Sequence, residues 1–300
     1  MQAERRESSL SIPRRRLQSI KWNAMNKLAF LLFASFSFLW ADAQENKSYQ
    51  SLLDSATVAS STNRYEKAIK FYNQVLELDP QNEGNCLVWG NLGSVYERMG
   101  KVDEALSCYT KSLEIQPKLL PVLEQRAGLY LDKGDKGRAM QDFTAILNEQ
   151  PEHEQALLGR AYLRMQQNMY PEARLDFESL LLNYPQNKHG ELGLAILCQK
   201  QERYQESAER FARLIERYPA DPDLYEARGN MEREAKWYEL ALIDYEEAGR
   251  ISKNEPLYDV MQAQVYLDQK KKSSARRMLD RAVRGGLSKA SLEEYYSQCK

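Results

Sequence analysis

Along residues 89–117, "WGNLGSVYERMGKVDEALSCYTKSLEIQP", small side chains stand at fixed offsets among aromatic and aliphatic ones, and a proline closes the run. Steps of 34 residues from Ala105 reach Ala139, Ala173, Ser207, Ala241 and Ala275, so the stretch is one copy of a repeat. With each copy numbered so that Ala105 is column 20, column 8 reads Ala56, Gly93, Ala127, Ala161, Ala195, Gly229 and Ala263, small in every copy. Column 24 reads Tyr72, Tyr109, Phe143, Phe177, Phe211, Tyr245 and Leu279, a bulky knob in every copy. A helical hairpin needs this combination: small residues where two backbones approach, large ones to fill the seam. Column 32 is proline at Pro80, Pro117, Pro151, Pro185 and Pro219. Proline has no amide hydrogen to donate and disfavours helix in the residue before it, so it stops the second helix.

The pattern predicts seven pairs of antiparallel helices over 49–82, 86–119, 120–153, 154–187, 188–221, 222–255 and 256–286. Only the step from Ala68 to Ala105 carries three extra residues, around "PQNEGN". One hairpin cannot bury its own apolar faces, so successive hairpins must stack. Pro171 opens the second helix of the fourth copy, where a missing amide hydrogen costs nothing. Residues 287–300 are predicted to close the end. After Gly285 and Gly286, Ser291 and Glu294 have capping-box spacing, and Leu292, Tyr295 and Tyr296 are available for packing.

These columns resemble the tetratricopeptide repeat (TPR) family, and "WGNLGSVY", residues 89–96, has the W-x-x-L-G-x-x-Y form of its first helix. The resemblance runs from Tyr49 onward and implies an all-α chain: a right-handed alpha-alpha superhelix, or TPR solenoid, of about seven helical hairpins plus a C-terminal capping helix. It also implies a concave groove lined by the first helix of each hairpin at columns 2, 5, 9, 12 and 13. The chaperone-binding members hold a terminal carboxylate with lysine and asparagine at columns 5 and 9. Here those columns carry Leu53 and Thr57, Gly90 and Ser94, or Glu124 and Gly128, so nothing suggests a chaperone tail.

Composition narrows the partner. The chain is 43% hydrophobic and 28% charged, with a formal charge of −1. Six Lys/Arg and two Glu fall in residues 1–24, and one Lys and one Asp in 25–43, which leaves 35 basic and 40 acidic residues from Gln44 on, a net of −5. A phosphate backbone is disfavoured, so no nucleic acid is expected as partner.

From Met25 the sequence reads "MNKLAFLLFASFSFLWADAQ": a short basic start, an apolar run from Leu28 to Trp40, and a small-x-small site at Ala41, Asp42 and Ala43. That is the form of a cleaved export leader. The run is 13 residues long, short of the ~20 that span a bilayer. No cysteine follows it to carry a lipid. A mature chain beginning near Gln44 is expected in the periplasm or cell envelope, with neither lipid anchor nor transmembrane helix. Residues 1–24 read either as a long basic n-region or as an extension ahead of a start at Met25.

Chemistry is sparse. Cys86, Cys108, Cys198 and Cys299 do not pair convincingly by position and read as small buried hydrophobes plus one terminal thiol. His153 and His189 have no second ligand at helical spacing, and no phosphate-cradling loop follows a strand. Carboxylates such as Glu232, Glu234, Glu246 and Glu247 read as solvated helix faces. No enzyme activity, metal or cofactor is expected.

Attention therefore falls on the groove. Its columns are apolar in copies four and five, at Leu158, Tyr162, Met165, Leu192 and Ile196, with Gln199 and Lys200 at the edge. Copy six turns polar, with Asp223, Glu226, Asn230, Arg233 and Glu234. The apolar set has two readings, a partner-binding surface or core between neighbouring hairpins. Column 11 breaks the family pattern nearby: aromatic at Tyr96, Tyr130 and Tyr266, it is Arg164, Cys198 and Glu232 in copies four to six. Two functions follow: a non-catalytic scaffold that holds a protein or peptide partner in its groove, with Leu158, Tyr162, Met165, Leu192, Ile196, Lys200, Asn230 and Arg233 as the candidate contacts, or a structural subunit that self-associates through the same groove.

Overall fold

A computed structural model describes residues 48–253 and 255–299. The expected leader at 25–43, the basic extension at 1–24 and most of the short segment at 44–48 lie outside the described residues.

The described chain is helical throughout, with seven hairpins and a terminal helix. The hairpins are α1 (48–61) with α2 (Tyr65–Leu78), α3 (Asn85–Arg98) with α4 (Val102–Ile115), α5 (Leu120–Asp132) with α6 (Lys136–Glu149), and α7 (Glu154–Gln166) with α8 (Tyr170–Asn183). They continue with α9 (Lys188–Lys200) and α10 (Tyr204–Arg217), α11 (Pro222–Glu234) and α12 (Tyr238–Ile251), and α13 (Leu257–Asp268) and α14 (Lys272–Arg284), followed by α15 (Glu293–Gln298). Five second helices end two residues before the column-32 prolines, at Leu78, Ile115, Glu149, Asn183 and Arg217.

The turn inside every hairpin is built the same way. Column 15 has a positive φ in all seven copies: Asn63, Gly100, Gly134, Asn168, Glu202, Lys236 and Lys270. A left-handed residue reverses the chain and leads directly into the second helix. Glycine or asparagine fills the site cheaply, whereas the last three copies hold long side chains there against their preference.

Two units are distinguished, one ending at Leu119 and one from Leu120 onward. The first holds α1 to α4, with a core of Ala56, Ala68, Tyr72, Val75, Val88, Leu92, Val95 and Cys108. Its column-8 glycine is sterically required: a methyl group on Gly93 would come within 2.5 Å of the Tyr109 ring. The extra residues between α2 and α3 are tied by buried Asn85, which accepts from the Tyr49 hydroxyl at 2.9 Å and donates to the Asp79 carbonyl at 2.8 Å.

In the second unit α5 to α14 pack in chain order, each helix on the next. Phe177, Phe211 and Tyr245 are almost wholly buried against the small columns. At the end, Leu292 is buried among Val260, Met278, Leu279 and Ala282, with Tyr295 and Tyr296 packed on the same cluster. The expected capping box does not form. A 3₁₀ turn, Ala290–Leu292, precedes α15, and the Oγ of Ser288 accepts the Ser291 amide at 3.1 Å, while Ser291 turns its own hydroxyl back to the Ser288 carbonyl.

Candidate partner-binding groove

Side chains four and seven or eight residues apart share one face of a helix. In the second unit this gives matching stripes on the first helices: Glu124, Gly128, Leu131 and Asp132 on α5; Leu158, Tyr162 and Met165 on α7; Leu192, Ile196, Gln199 and Lys200 on α9; Glu226, Asn230, Arg233 and Glu234 on α11. Lateral bonds join the stripes. The Tyr162 hydroxyl donates to the His189 carbonyl at 3.3 Å, Gln199 donates to Glu234 at 2.6 Å, and Arg233 donates to Asp268 at 2.5 Å and Gln264 at 2.8 Å. Gln264 in turn donates to the Tyr295 hydroxyl at 2.8 Å, so the face is continuous to α15.

The eight candidate residues fall into three sets. Leu158, Tyr162 and Met165 are half-buried on a cluster of Ala161, Ala173, Phe177, Leu194 and Leu197. Tyr162 meets Phe177 edge-on, ring centroids 5.3 Å apart, and burial raises its hydroxyl pKa. Leu192 and Ile196 are half-buried on a different cluster, Ala195, Phe211 and Met231. These five side chains therefore do both things at once: their inner atoms join neighbouring hairpins and their outer atoms remain on the face. Lys200, Asn230 and Arg233 form the polar set. Lys200 and Asn230 are exposed, but Asn230 accepts the Tyr245 hydroxyl at 2.8 Å, and Arg233 is committed to Asp268.

Beneath the face lies a charge system that the sequence reading missed. Arginine at column 7 grips aspartate at column 23 with two hydrogen bonds in three hairpins: Arg126 on Asp142 at 2.9 and 2.7 Å, Arg160 on Asp176 at 3.0 and 2.8 Å, and Arg228 on Asp244 at 2.6 and 2.7 Å. The three aspartates are each 3% exposed, so the forks replace their hydration. The signal was an Arg sixteen residues before an Asp, repeated in register.

The unusual column-11 residues join this system. Arg164 places a second guanidinium on Asp176 at 2.5 Å. Cys198 is fully buried within 3.8 Å of Arg174. Glu232 lies 3.9 Å from Arg228, already claimed by Asp244, and its Oε2 is buried without a partner. Burial, and next the Asp244 charge, push the Glu232 carboxyl up to about 8. The expectation that Glu232 lies on a solvated face is thus corrected: it is 5% exposed, whereas Glu234 and Glu246 are exposed.

Among the described residues no cluster of three or more His, Cys, Asp and Glu could hold a metal. Cys86, Cys108 and Cys198 are buried free thiols and Cys299 is half-buried; burial pushes the Cys108 thiol up to about 11. His153 caps α7 by accepting the Ala156 amide at 3.4 Å, and its other nitrogen lies 3.7 Å from Glu124. Concavities of about 460 Å³ lie off the groove, one at Arg276, Lys289 and Tyr296, another at Glu255, Tyr258 and Arg281. No described helix is long and apolar enough to cross a membrane.

Comparison with known proteins agrees with this architecture. Tetratricopeptide repeat profiles match residues 49–82, 87–119, 125–188 and 192–256. The chain is 39% identical over 56 residues to a TPR repeat-containing protein of Methanocaldococcus jannaschii, a match that spans 19% of this chain and only 16% of that protein. The crystal structure of a tetratricopeptide repeat protein from Parabacteroides merdae is 29% identical, with a TM-score of 0.68 over 84% of this chain and 99% of that one. Two others share the fold at lower identity. YrrB, a TPR protein with an unusual peptide-binding site, is 15% identical with a TM-score of 0.52 over 67% of this chain and 97% of its own. PilW, a type IV pilus biogenesis factor, is 16% identical with a TM-score of 0.58 over 65% of this chain and 91% of its own. The repeat profiles, the helix-by-helix register and these structures agree that the chain belongs to the tetratricopeptide repeat family.

Proposed function

We propose that the protein is a non-catalytic interaction scaffold of the cell envelope that binds a protein or peptide partner on the first-helix face of its second unit. The observation that carries this reading is the strip formed by Leu158, Tyr162, Met165, Leu192 and Ile196, apolar side chains left half-buried on a face whose lateral bonds hold the helices side by side. A partner that covers the strip removes the remaining apolar area from water at ~25 cal/mol per Å². A peptide-binding site in YrrB, of the same fold, supports this class of ligand. The envelope location rests on the apolar run from Leu28 to Trp40 and the small-x-small site that ends at Ala43.

Affinity capture from envelope fractions of the native host, repeated with Ile196→Ala and with Phe177→Ala as the core control, tests the binding site. Loss of capture with Ile196→Ala, at a temperature where both variants remain folded, is expected. Equal loss with both variants would return the strip to inter-repeat core. A pure chain that elutes as an oligomer and captures nothing would point to self-association. Intact-mass measurement should find a chain beginning at Gln44; retention of Met25 would end the export reading.

A further inference from the structure

We infer that the partner segment is an extended peptide whose apolar residues are flanked on both sides by lysine or arginine, an inference that rests on the groove reading above. The apolar strip on α7 and α9 is bordered by acids on both flanks. On the α5 side are half-buried Glu124 and exposed Asp132, next to Leu131, which is 38% exposed. On the α11 side are exposed Asp223 and Glu234 and half-buried Glu226.

Several carboxylates of this unit are already held by a base. Asp221 is paired with Lys188, Glu191 with Arg217, Glu206 with Arg210, and Asp259 with Arg281. No Lys or Arg is bonded to Asp132, Asp223, Glu226 or Glu234 among the described residues; Glu234 has only the Gln199 amide, and Glu124 only the His153 imidazole at 3.7 Å. The arginines close by are spent, with Arg126, Arg160 and Arg228 on buried aspartates and Arg233 on Asp268. Lys200, exposed on α9, stands against these acids. Burial, and next the Asp223 charge, raise the Glu226 pKa, and an incoming cation would offset the repulsion between the two acids on α11.

Spacing makes the motif specific. Packed helices lie about 8–10 Å apart and an extended chain advances about 3.3–3.6 Å per residue. Each helix crossed therefore takes roughly three residues. Apolar residues on α7 and α9 place basic ones about three residues away on either side, over α5 and α11.

The test uses the full chain and three labelled peptides read by fluorescence anisotropy: RKSLTSLSKR, its neutral form with serine at the basic positions, and its acidic form with glutamate there. The basic probe is expected to bind at least about tenfold tighter than the neutral one and to weaken as salt screens the charges. The triple variant Asp223→Asn, Glu226→Gln, Glu234→Gln, checked for helicity, should lose about tenfold of that affinity and most of the salt dependence. Equal binding of neutral and basic probes, with loss in Ile196→Ala, would overturn the basic partner and keep the groove. Undiminished binding of the basic probe to both the triple variant and Ile196→Ala would place the contact elsewhere and overturn both. Failure of all three probes would also remove the groove reading.

Discussion

Phe177 of α8 packs its ring against the bare Cα of Gly193 on α9, the next hairpin, and a methyl group on that glycine would come within 2.2 Å of a ring carbon. Phe143 stands in the same relation to Gly159, with a Cβ contact of 2.5 Å. The knob of one hairpin thus enters a notch in its successor. Gly193→Ala is expected to cost about 1–3 kcal/mol of overpacking. Gly128→Ala, on α5 where nothing lies within 4 Å, should instead gain about 0.5–1 kcal/mol as a better helix former. Urea melts of the two variants give opposite signs if the notch is real; a neutral Gly193→Ala would remove it.

The turn register yields a second prediction. Lys236 and Lys270 occupy left-handed positions with φ of 63° and 59°, where Gly134 of the third hairpin sits at 75°. Lys236 is exposed, so the strain has no evident packing return. Lys236→Gly should raise stability by up to about 1 kcal/mol, since the left-handed penalty exceeds glycine's added chain entropy. Gly134→Ala should lose about 1–2 kcal/mol. Thermal unfolding with matched helicity measures both.

What could be read from residue types was the part set by steric demand. Column 8 at Ala161 or Gly229 must be small and column 24 at Phe177 must be large, so the hairpins, their order and their proline stops are visible in the letters. Less visible were features that depend on a partner sixteen residues away. Asp176 and Asp244 look like ordinary surface acids until Arg160 and Arg228 are placed beside them. The notch at Gly159 and Gly193 occurs in only two copies, so it makes no column. The groove is only half legible for a different reason: Leu192 and Ile196 sit at helical spacing whether they bind a partner or a neighbouring hairpin, and in the fold they retain a side for each.

Asp176 holds two guanidiniums, Arg160 and Arg164, in a site where it is 3% exposed. Asp176→Ala would leave both cations near the core without a counter-charge, and an orphaned buried charge costs about 3–5 kcal/mol. Arg164→Ala should cost far less, because the Arg160 fork stays intact. A large equal loss in both variants would show that the second arginine is part of the fork rather than an addition to it.

Hairpin six has the opposite imbalance, two carboxylates for one arginine, and this sets its response to pH. Asp244 takes both bonds from Arg228, and Glu232 keeps a buried oxygen without a partner. With its carboxyl raised to about 8 in the fold, Glu232 holds a proton that the unfolded chain gives up near the ordinary value of 4.5. Between those values the folded state binds more protons than the unfolded one, so this group makes stability fall as pH rises and has no further effect above about 8. Glu232→Gln keeps the shape and carries no proton to lose. It should flatten that fall and stabilise the protein near neutral pH by about 1–3 kcal/mol, the scale of an unsatisfied buried polar group. Glu234→Gln, on the exposed face, should leave the profile unchanged. Chemical denaturation of the three proteins from pH 5 to 9 decides it: parallel curves for Glu232→Gln and wild type would mean that Glu232 is ionised in the fold and that Arg228 serves both acids.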